Sequence, residues 1–337
     1  MILDEQKILE FRKEICEAGF WVLEEQLKTD EMMSRHTSFR VGGPARLYIE
    51  PSELREVIVL IQVAEAIHIP YFILGNGSNL VISDQGIDAL VIRLGERFSS
   101  IWTENDPNDD DVVYMHAYAG ALLAKVSSMA TRQALTGLEF ASGIPGSLGG
   151  AVYMNAGAYE HDMKEIVDSV LCVSKNGETY TVNRDECDFG YRSSCFMKDG
   201  GIVLTVVLKL HRGDKEKIAA QIKEYTEKRT KSQPLNYPSA GSMFKRPTGY
   251  YAGTLIDQAG LKGFTVGGAQ VSEKHAGFVI NIGGATAADI DELTKQVRAV
   301  VEEKFGVTLE REVRFIGIGY SQTGEDDSSC NEAKGSK

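Results

Sequence analysis

The chain of 337 residues has few cysteines, few prolines and no excess of positive charge. Its five cysteines are odd in number and include no C-x-x-C pair, which argues against disulfides or a zinc site and favours reduced thiols. The six histidines are scattered, so we expect no metal site. The net charge of −12 argues against a nucleic-acid partner, because proteins that bind nucleic acid normally carry a basic surface. Local devices, such as glycine-rich loops or a few placed Arg and Lys side chains, must then hold any anionic ligand.

Long apolar segments are also missing. No run reaches the eighteen or so apolar residues that span a bilayer. The N-terminal stretch MILDEQKILEFRKEI is charged throughout and lacks the apolar core of a secretion signal. These absences predict a cytoplasmic globular protein with no membrane partner, and no obligate protein partner is evident.

Glycine is the residue in excess, with 34 glycines against 8 prolines. Such a balance indicates many tight backbone positions in a folded chain rather than a disordered linker. The apolar fraction of 43% and the charged fraction of 25% are ordinary for a folded protein. A chain of this length usually exceeds one compact core, so we expect two or three domains.

Composition and periodicity divide the chain into five segments. An acidic run, TENDPNDDD, marks one break, and Pro234 after a charged amphipathic helix marks another. The N-terminal segment has a helical pattern and the C-terminal segment is a polar tail that we expect to be disordered. The predicted segments are 1–30, 31–102, 103–232, 233–318 and 319–337.

Alternating helix and strand patterns fill the middle segments. ARLYIE and YFIL read as strands on either side of a helix for which Ser52 is a plausible N-cap. After the acidic run, VVYMHAYAG reads as a further strand. Thr286 and Asp289 form a capping-box pattern at the start of a later helix. The stretch LEREVRFIG is predicted as the last strand, and period-two alternation would put Glu310 and Glu312 on the same face.

Two glycine-rich stretches stand out as candidate ligand sites. In YFILGNGSNLVIS, Gly75 and Gly77 lie between two strands, where successive N–H groups can bind an anion or the chain can simply turn. A strand rather than a helix follows, so this is not a dinucleotide fingerprint. In SGIPGSLGGAVYMNAGAY, four glycines within nine uncharged residues favour backbone that lies against a large ligand. Two such loops from separate blocks fit a long ligand with a central pyrophosphate, bound between domains.

Six motifs in order carry a family resemblance: HTSFRVGGPA, LGNGSNLVISDQG, SGIPGSLGGAVYMNAGAY, FGYRSSCF, SAGSMFKRP and LEREVRFIG. From about Arg35 to Gly317 the chain resembles the UDP-N-acetylenolpyruvoylglucosamine reductase (MurB) family, a flavoenzyme family of peptidoglycan precursor synthesis. The short span after GSMFKRP resembles the type II form, which lacks a substrate-covering loop.

The resemblance implies an α+β architecture. Residues 31–102 and 103–232 would form two FAD-binding subdomains of the vanillyl-alcohol-oxidase (PCMH) type, and 233–318 a third, α/β substrate-binding domain. It also implies NADPH-dependent reduction of UDP-N-acetylglucosamine enolpyruvate to UDP-N-acetylmuramate through FAD. Because neither glycine-rich loop contains His or Cys, we expect the FAD to be non-covalent.

The resemblance also implies roles for individual residues. Arg192 would stabilise the substrate carboxylate, Ser242 would donate a proton, and Glu312 would act as electrophilic partner or general acid, with Glu310 as its rival. The predicted FAD-binding residues are Gly75, Asn76, Gly77, Ser78, Asn79, Leu80, Gly120, Gly143, Ile144, Pro145, Gly146, Gly149, Gly150 and Ala151. The predicted substrate ligands are Tyr191, Lys231, Lys245, Arg246 and Arg314.

Two other functions are compatible with parts of the sequence. The glycine loops alone would suit another flavin oxidoreductase of the same fold that acts on a small alcohol or sugar. They would also suit a non-catalytic module that binds a nucleotide sugar. Such a module has no need for Arg192, Ser242 and Glu312 together, and it would be colourless.

Overall fold

The computed structural model describes residues 3–320, which form two compact units. The first unit comprises 3–29, 46–76 and 89–231, and the second comprises 30–45, 77–88 and 232–320. Both units contain helices and strands, as the predicted mixed class requires. The sequence-based domain boundaries stay predictions.

The described helices range from short turns to nineteen residues. They are α1 (Glu5–Glu17), α2 (Trp21–Gln26), α3 (Leu54–Ala66), α4 (Leu123–Arg132), α5 (Leu148–Tyr153), α6 (Cys195–Asp199), α7 (Lys215–Ser232), α8 (Ala252–Gln258) and α9 (Ala287–Phe305). Within residues 3–320, no helix combines the length and apolar content that crossing a membrane requires.

The described strands are mostly short. They are β1 (Lys28–Met32), β2 (Pro44–Ile49), β3 (Tyr71–Leu74), β4 (Leu80–Ile82), β5 (Ile87–Arg93), β6 (Ile101–Asn105), β7 (Val112–Tyr118), β8 (Leu135–Thr136), β9 (Gly157–Ala158), β10 (His161–Asp162), β11 (Val167–Val173), β12 (Thr179–Asn183), β13 (Ile202–Arg212), β14 (Thr265–Val266), β15 (Ala269–Val271), β16 (Val279–Asn281) and β17 (Arg314–Ile316).

An antiparallel sheet dominates the first unit, in the order β12-β11-β13-β7-β6 with β8 also paired to β13. Strand β7 shows why these residues form a sheet: Val113, Met115 and Ala117 alternate into the core while the residues between them are less buried. The predicted strand at this position is confirmed. A second, smaller sheet has the order β1-β2-β5-β3, in which β3 and β5 run parallel.

The N-terminal helices belong to the core of the first unit. Asp4 caps α1 by accepting a hydrogen bond from the Lys7 N–H, and Phe11 and Ile15 are fully buried. Leu23 of α2 is buried in the same hydrophobic cluster. The helical pattern of this segment is therefore confirmed, and the segment is packed rather than appended.

The second unit contains a three-stranded antiparallel sheet, β14-β15-β16, and the parallel pair β17-β4. Helix α9 packs its apolar face into this unit, and the predicted capping box between Thr286 and Asp289 is present. The Thr286 hydroxyl accepts from the Asp289 N–H, and the Asp289 carboxylate accepts from the Thr286 N–H, both at 3.0 Å.

Two local predictions are wrong. Glu53, not Ser52, is the N-cap of α3, because a capping box joins Glu53 to Glu56. The predicted last strand is a strand only from Arg314, since residues 309–313 are irregular or bent apart from one isolated bridge at Arg311. The alternating-face argument for Glu310 and Glu312 therefore does not hold. Of the predicted tail, residues 321–337 lie outside the described residues.

Candidate active site

In the first unit, the two glycine-rich stretches are neighbours. The Asn76 side-chain amide donates a hydrogen bond to the carbonyl oxygen of Pro145. The Ser147 hydroxyl fills the space that a side chain at Gly75 would occupy. The two stretches are about seventy residues apart in sequence, so tertiary structure brings these predicted cofactor ligands together.

Gly120 joins the same cluster through backbone pairing. The chain after β7 runs beside the second glycine-rich stretch, with the Leu123 N–H donating to Gly146 O at 3.0 Å and the Leu148 N–H donating to Ala121 O at 2.8 Å. A side chain at Gly120 would overlap the carbonyls of Gly95 and Phe98. Gly120 is thus required by close chain packing.

The glycines of the second stretch differ in what surrounds them. A Cβ at Gly149 would lie 2.6 Å from the Ala119 Cβ, so this glycine permits close packing. Gly150 is exposed, and a Cβ there would meet only the Ser147 hydroxyl, at 3.3 Å. Pro145 is exposed, and Ile144 and Gly146 are half-buried. Gly150 and residues 144–146 therefore leave a smooth, uncharged surface open to a ligand.

Most amide groups at the start of α5 already have acceptors within the protein. The Gly149 N–H donates to Ala119 O at 2.8 Å, and the Ala151 N–H donates to Ser147 O at 2.9 Å. The Gly150 N–H donates to the Ser147 hydroxyl at 3.4 Å. These residues can shape the wall of a cofactor site, but their N–H groups are not its donors.

Helix α7 packs against the second glycine-rich stretch. The Arg229 guanidinium donates to Gly143 O, and burial lowers the pKa of Arg229. One turn earlier, the Tyr225 ring stacks on Tyr159 at 4.1 Å between ring centroids. Neither Arg229 nor Tyr159 is among the site residues predicted from the sequence. The signal was present in part, because Tyr159 ends the motif NAGAY.

Tyr159 lies at the tip of the β9–β10 hairpin in an unfavourable backbone conformation. Tyr159 and Glu160 are the two loop residues, with φ of 56° and 70°. This left-handed pair is typical of tight hairpins that carry Asn and Gly. The Tyr159 hydroxyl donates to Tyr225 O at 2.8 Å, so α7 holds the hairpin in place.

Arg192 occupies a second strained turn. Gly190 and Ser193 exchange backbone hydrogen bonds of 3.0 and 3.3 Å, which leaves Tyr191 and Arg192 at the tip. Arg192 has φ of 52°, the left-handed region that non-glycine residues rarely adopt. Its guanidinium donates to Gly157 O at 3.3 Å and lies 5.3 Å from the Tyr191 ring centroid. Such strain is typical of functional positions.

In the second unit, the predicted cofactor residues 77–80 also hold the chain together. Gly77 has φ of 61°, and a side chain there would overlap the His36 carbonyl. Asn79 donates through its amide to Glu312 O at 3.1 Å and accepts from the Arg314 N–H at 3.1 Å. Ser78 is half-buried, and Leu80 begins β4 rather than a helix, as predicted.

Ser242 and Glu312 lie on neighbouring stretches of backbone. The Met243 N–H donates to Gly277 O at 2.8 Å, and the Glu312 N–H donates to Met243 O at 2.9 Å. Ser242 itself bridges to Phe278 and is exposed. The fold therefore brings these two predicted catalytic residues close together along a pair of backbone segments.

Glu310 and Glu312 have different surroundings. The Glu310 carboxylate is 69% exposed and pairs with the Lys245 ammonium at 3.2 Å. Glu312 is half-buried. An exposed carboxylate with a lysine partner is a surface ion pair. These surroundings favour Glu312 over its rival.

The predicted substrate ligands are distributed over both units. In the first unit, Lys231 is exposed near the end of α7 and Tyr191 is exposed at its turn. In the second unit, Arg246 stacks over the Tyr251 ring at 4.0 Å, and Arg314 begins β17. Each is placed where a cation or hydroxyl can meet an anionic ligand at the surface of its own unit.

The described cysteines are reduced, and two of them are deeply buried. Four cysteines, Cys16, Cys172, Cys187 and Cys195, are free. Burial raises the pKa of Cys172 and of Cys187 to about 12, so both thiols stay protonated and unreactive. Over residues 3–320, no group of His, Cys, Asp and Glu side chains could hold a metal ion.

Comparison with known proteins gives matches to both units. Residues 45–183 match the FAD binding domain family, and residues 233–316 match the family of the UDP-N-acetylenolpyruvoylglucosamine reductase C-terminal domain. The chain is 49% identical to the UDP-N-acetylenolpyruvoylglucosamine reductase of Clostridium tetani over 293 residues, covering 87% of this chain and 93% of the relative. The enzyme of that name from Agathobacter rectalis is also 49% identical, covering 86% and 94%.

A solved structure agrees with these matches. The crystal structure of the Thermus caldophilus UDP-N-acetylenolpyruvylglucosamine reductase superposes with a TM-score of 0.72 at 36% identity, covering 86% of this chain and 99% of that one. The predicted architecture, an FAD-binding fold followed by a distinct C-terminal domain, is confirmed.

Proposed function

Because the chain belongs to the UDP-N-acetylenolpyruvoylglucosamine reductase family, we propose that NADPH is the hydride donor and that UDP-N-acetylmuramate is the product. The protein is an FAD-dependent reductase of peptidoglycan precursor synthesis. The observation that carries the proposal is the match over 93% of a relative's length, which spans both the FAD-binding part and the C-terminal domain. We place the reaction in the cytoplasm.

The first unit supplies residues that fit the cofactor. Gly75 and Asn76 adjoin the second glycine-rich stretch, whose exposed Gly150 and half-buried Gly146 present backbone without side chains. A pyrophosphate or a flat ring can approach such a surface closely. FAD, when bound, carries hydride from the nicotinamide donor to the enolpyruvyl double bond. Neither stretch contains a His or Cys for covalent attachment, so we propose non-covalent binding.

Arg192 is proposed to bind the substrate carboxylate. When hydride reaches the terminal carbon of the double bond, negative charge develops on the carbon that bears this carboxylate. A guanidinium stabilises that charge through a pair of parallel hydrogen bonds, which an ammonium cannot make. The hydrogen bond from Arg192 to Gly157 O restricts the direction in which the guanidinium points, so less entropy is lost on binding.

Ser242 and Glu312 are proposed to complete proton delivery. A serine hydroxyl is a weak acid, so it must be held close to the carbon that it protonates. Ser242 is exposed on a segment that backbone hydrogen bonds fix on both sides. Glu312 lies on the adjoining segment and is half-buried, and this position suits an acid that supplies the proton.

Four cationic side chains and one tyrosine hydroxyl are proposed to hold the substrate diphosphate and carboxylate on an otherwise acidic protein. The candidates are Tyr191, Lys231, Lys245, Arg246 and Arg314. The ion pair between Lys245 and Glu310 is solvent-exposed and contributes at most about 1 kcal/mol, so a phosphate can replace the carboxylate.

Three measurements on the purified protein test this function. We expect flavin absorption bands, and we expect acid denaturation to release the flavin. NADPH oxidation should be much faster with UDP-N-acetylglucosamine enolpyruvate than with UDP-N-acetylglucosamine, which lacks the reducible double bond. A colourless protein would favour a non-catalytic nucleotide-sugar module. A flavoprotein indifferent to the enolpyruvyl group would favour a flavin oxidoreductase that acts on a small alcohol or sugar.

A further inference from the structure

Asn155 uses its whole side chain to join separate parts of the first unit. It is 2% exposed, and its backbone has φ of 42°. Its amide nitrogen donates to Gly190 O and to the Asp162 carboxylate, both at 3.0 Å. Its carbonyl oxygen accepts from the Lys164 N–H at 2.9 Å. Only an amide has two donors and an acceptor in this arrangement.

The hydrogen bonds to Asp162 and Lys164 join Asn155 to the β9–β10 hairpin and to the residues directly after it. The third hydrogen bond, to Gly190 O, reaches a turn thirty-five residues later. Asp162 pairs with Gly157 across the hairpin, and Gly157 O accepts from the Arg192 guanidinium. Gly190 is the first residue of the turn that carries Arg192. Asn155 is thus hydrogen-bonded to the backbone of the turn that carries Arg192. It is also hydrogen-bonded to the hairpin whose Gly157 O accepts from the Arg192 guanidinium.

The turn needs such support because Arg192 is left-handed. A non-glycine residue in this conformation is unfavourable, and it persists only where the surroundings fix it. The Ser194 hydroxyl provides a second tether on the far side of the turn, donating to Tyr153 O at 2.7 Å. Asn155 and Ser194 together fix both ends of a four-residue turn.

We propose that Asn155 is a positioning residue for Arg192. Its hydrogen bond to Gly190 O sets the position and direction from which the guanidinium contacts the substrate carboxylate. Asn155 itself does not act on the substrate. This inference rests on the proposed role of Arg192 in the reaction. The bond to Asp162 serves hairpin stability, and the bond to Gly190 O serves catalysis, so the two functions can be separated by mutation.

The test compares Asn155→Asp with Asp162→Ala in the FAD-loaded protein. Asn155→Asp loses both donated bonds, because a carboxylate cannot donate to Gly190 O or to Asp162. Asp162→Ala loses the hairpin bond but keeps the bond to Gly190 O. We expect both variants to melt at a lower temperature. Only Asn155→Asp should reoxidise its reduced flavin more slowly with the enolpyruvyl substrate, by about 10- to 100-fold, since small misplacements of a catalytic group have effects of this size.

Three further readouts separate positioning from damage. Flavin reduction by NADPH should be unchanged in Asn155→Asp, and the Ser193 amide, which donates to Gly190 O, should exchange with deuterium faster than in Asp162→Ala. The carboxylate that Asn155→Asp introduces would lie beside that of Asp162, and this like charge raises its pKa. Protonation at lower pH should restore a donor at position 155 and, with it, part of the reoxidation rate. Asn183→Asp is the matched control, since it makes the same chemical change at an exposed helix cap and should behave like the unmodified protein.

Each outcome decides between positioning and the alternatives. Equal slowing in Asn155→Asp and Asp162→Ala would show that hairpin stability is sufficient, and normal reoxidation in Asn155→Asp would also overturn the proposal. If Asn155→Asp does not fold, Asn155→Ser, which is neutral and too short to reach Gly190 O, should show the same split. Arg192→Ala is measured alongside. Normal turnover there would overturn the proposed role of Arg192 itself, independently of Asn155.

Discussion

The Arg192 turn in the first unit and the Ser242–Glu312 segments in the second are held by different kinds of contact. Side chains hold the Arg192 turn, through Asn155 and Ser194. Backbone hydrogen bonds form most of the contacts that hold the second region, between Met243, Gly277 and Glu312, and the Asn79 side-chain amide adds one bond to Glu312 O. Arg192 is also strained, whereas neither Ser242 nor Glu312 has a positive φ.

This difference predicts different sensitivities to mutation. A position that is fixed by side chains depends on the identity of those neighbours, and single substitutions around Arg192 should misplace it. A position that is fixed by backbone bonds survives the loss of neighbouring side chains, because every residue except proline carries the N–H and C=O groups. In the second region, changes to the reacting side chain itself should then have the largest effect.

Removal of the Ser242 hydroxyl should have the largest effect. Ser242→Ala should keep FAD and substrate binding and slow reoxidation by about 10²–10⁴-fold, the usual contribution of a proton donor. Ser242→Cys should recover part of the rate, because a thiol, with a pKa near 8.5, is the stronger acid.

Ser239→Ala is the control in the same loop. The Ser239 backbone carbonyl, not its hydroxyl, accepts the hydrogen bond from Ser38, so alanine preserves this contact. Single-turnover reoxidation of both alanine variants is the measurement. A stalled Ser239→Ala beside a normal Ser242→Ala would show that the loop has been aligned wrongly with the family.

Loss of either charged group should come next. Arg192→Ala and Glu312→Gln should each slow reoxidation by about 10²–10³-fold, the typical effect of removing one contact to a developing negative charge. Flavin reduction by NADPH should stay nearly normal in both, since neither residue takes part in that transfer. Stopped-flow measurement of the two half-reactions is the test, and equal damage to both halves would indicate a binding or folding role.

The Asp291 side chain supports the second region, and its contribution to the free energy of unfolding can be tested. Burial raises its pKa, but hydrogen bonds from Lys295 and Arg311 lower it by more, so the net pKa is below the usual value. The carboxylate therefore stabilises the fold above the unfolded pKa of about 4, and this stability is lost as the pH falls through the lower folded value.

We expect Asp291→Asn to reduce the free energy of unfolding at pH 7 by up to about 3 kcal/mol, because the largely buried Arg311 loses its carboxylate partner. The acid-side slope of stability against pH should also become shallower. Urea unfolding across the pH range measures both effects. The matched control is Asp257→Asn, which breaks an exposed pair with Lys262 and should cost at most about 1 kcal/mol. Similar losses in the two variants would contradict the assignment.

The smallest effect concerns the hairpin that supports Arg192. Tyr159→Phe removes the hydroxyl bond to Tyr225 O but keeps the stacked rings, so we expect a loss of about 1 kcal/mol in unfolding free energy. Tyr225→Phe is the control, since the Tyr225 carbonyl rather than its hydroxyl makes this bond. Thermal melting of the pair decides the point, and equal stabilities would show that the hydroxyl bond contributes nothing.

Much of the local structure followed from periodicity. The capping box of α9 and the alternation of β7 depend on neighbours within a few residues, and both predictions are confirmed. The prediction of the whole C-terminal strand was wrong because the alternation of side chains along the sequence does not show a bend that tertiary hydrogen bonds impose. The Lys245 N–H bonds Glu310 O, and the Glu312 N–H bonds Met243 O, so the chain bends before Arg314.

The glycine-rich stretches show the limit of reading function from composition. The sequence suggested that the glycines of these stretches and Gly120 admit a ligand, but Gly77, Gly120 and Gly149 are required by neighbouring protein atoms that pack against them. Gly150 alone of these faces open surface. A glycine that admits a ligand and one that admits a neighbouring strand look identical in sequence, because both lack the same Cβ.

The sequence by itself determined the family, the reaction class and the identity of the candidate reacting groups, because these reside in contiguous motifs such as FGYRSSCF and GSMFKRP. Tertiary structure alone decided which residues hold those groups in place. Asn155 contacts Gly190 across thirty-five residues, and Asn79 contacts Glu312 across 233. Hydrogen bonds between positions so far apart follow from how the chain packs, and no local pattern of side chains encodes them.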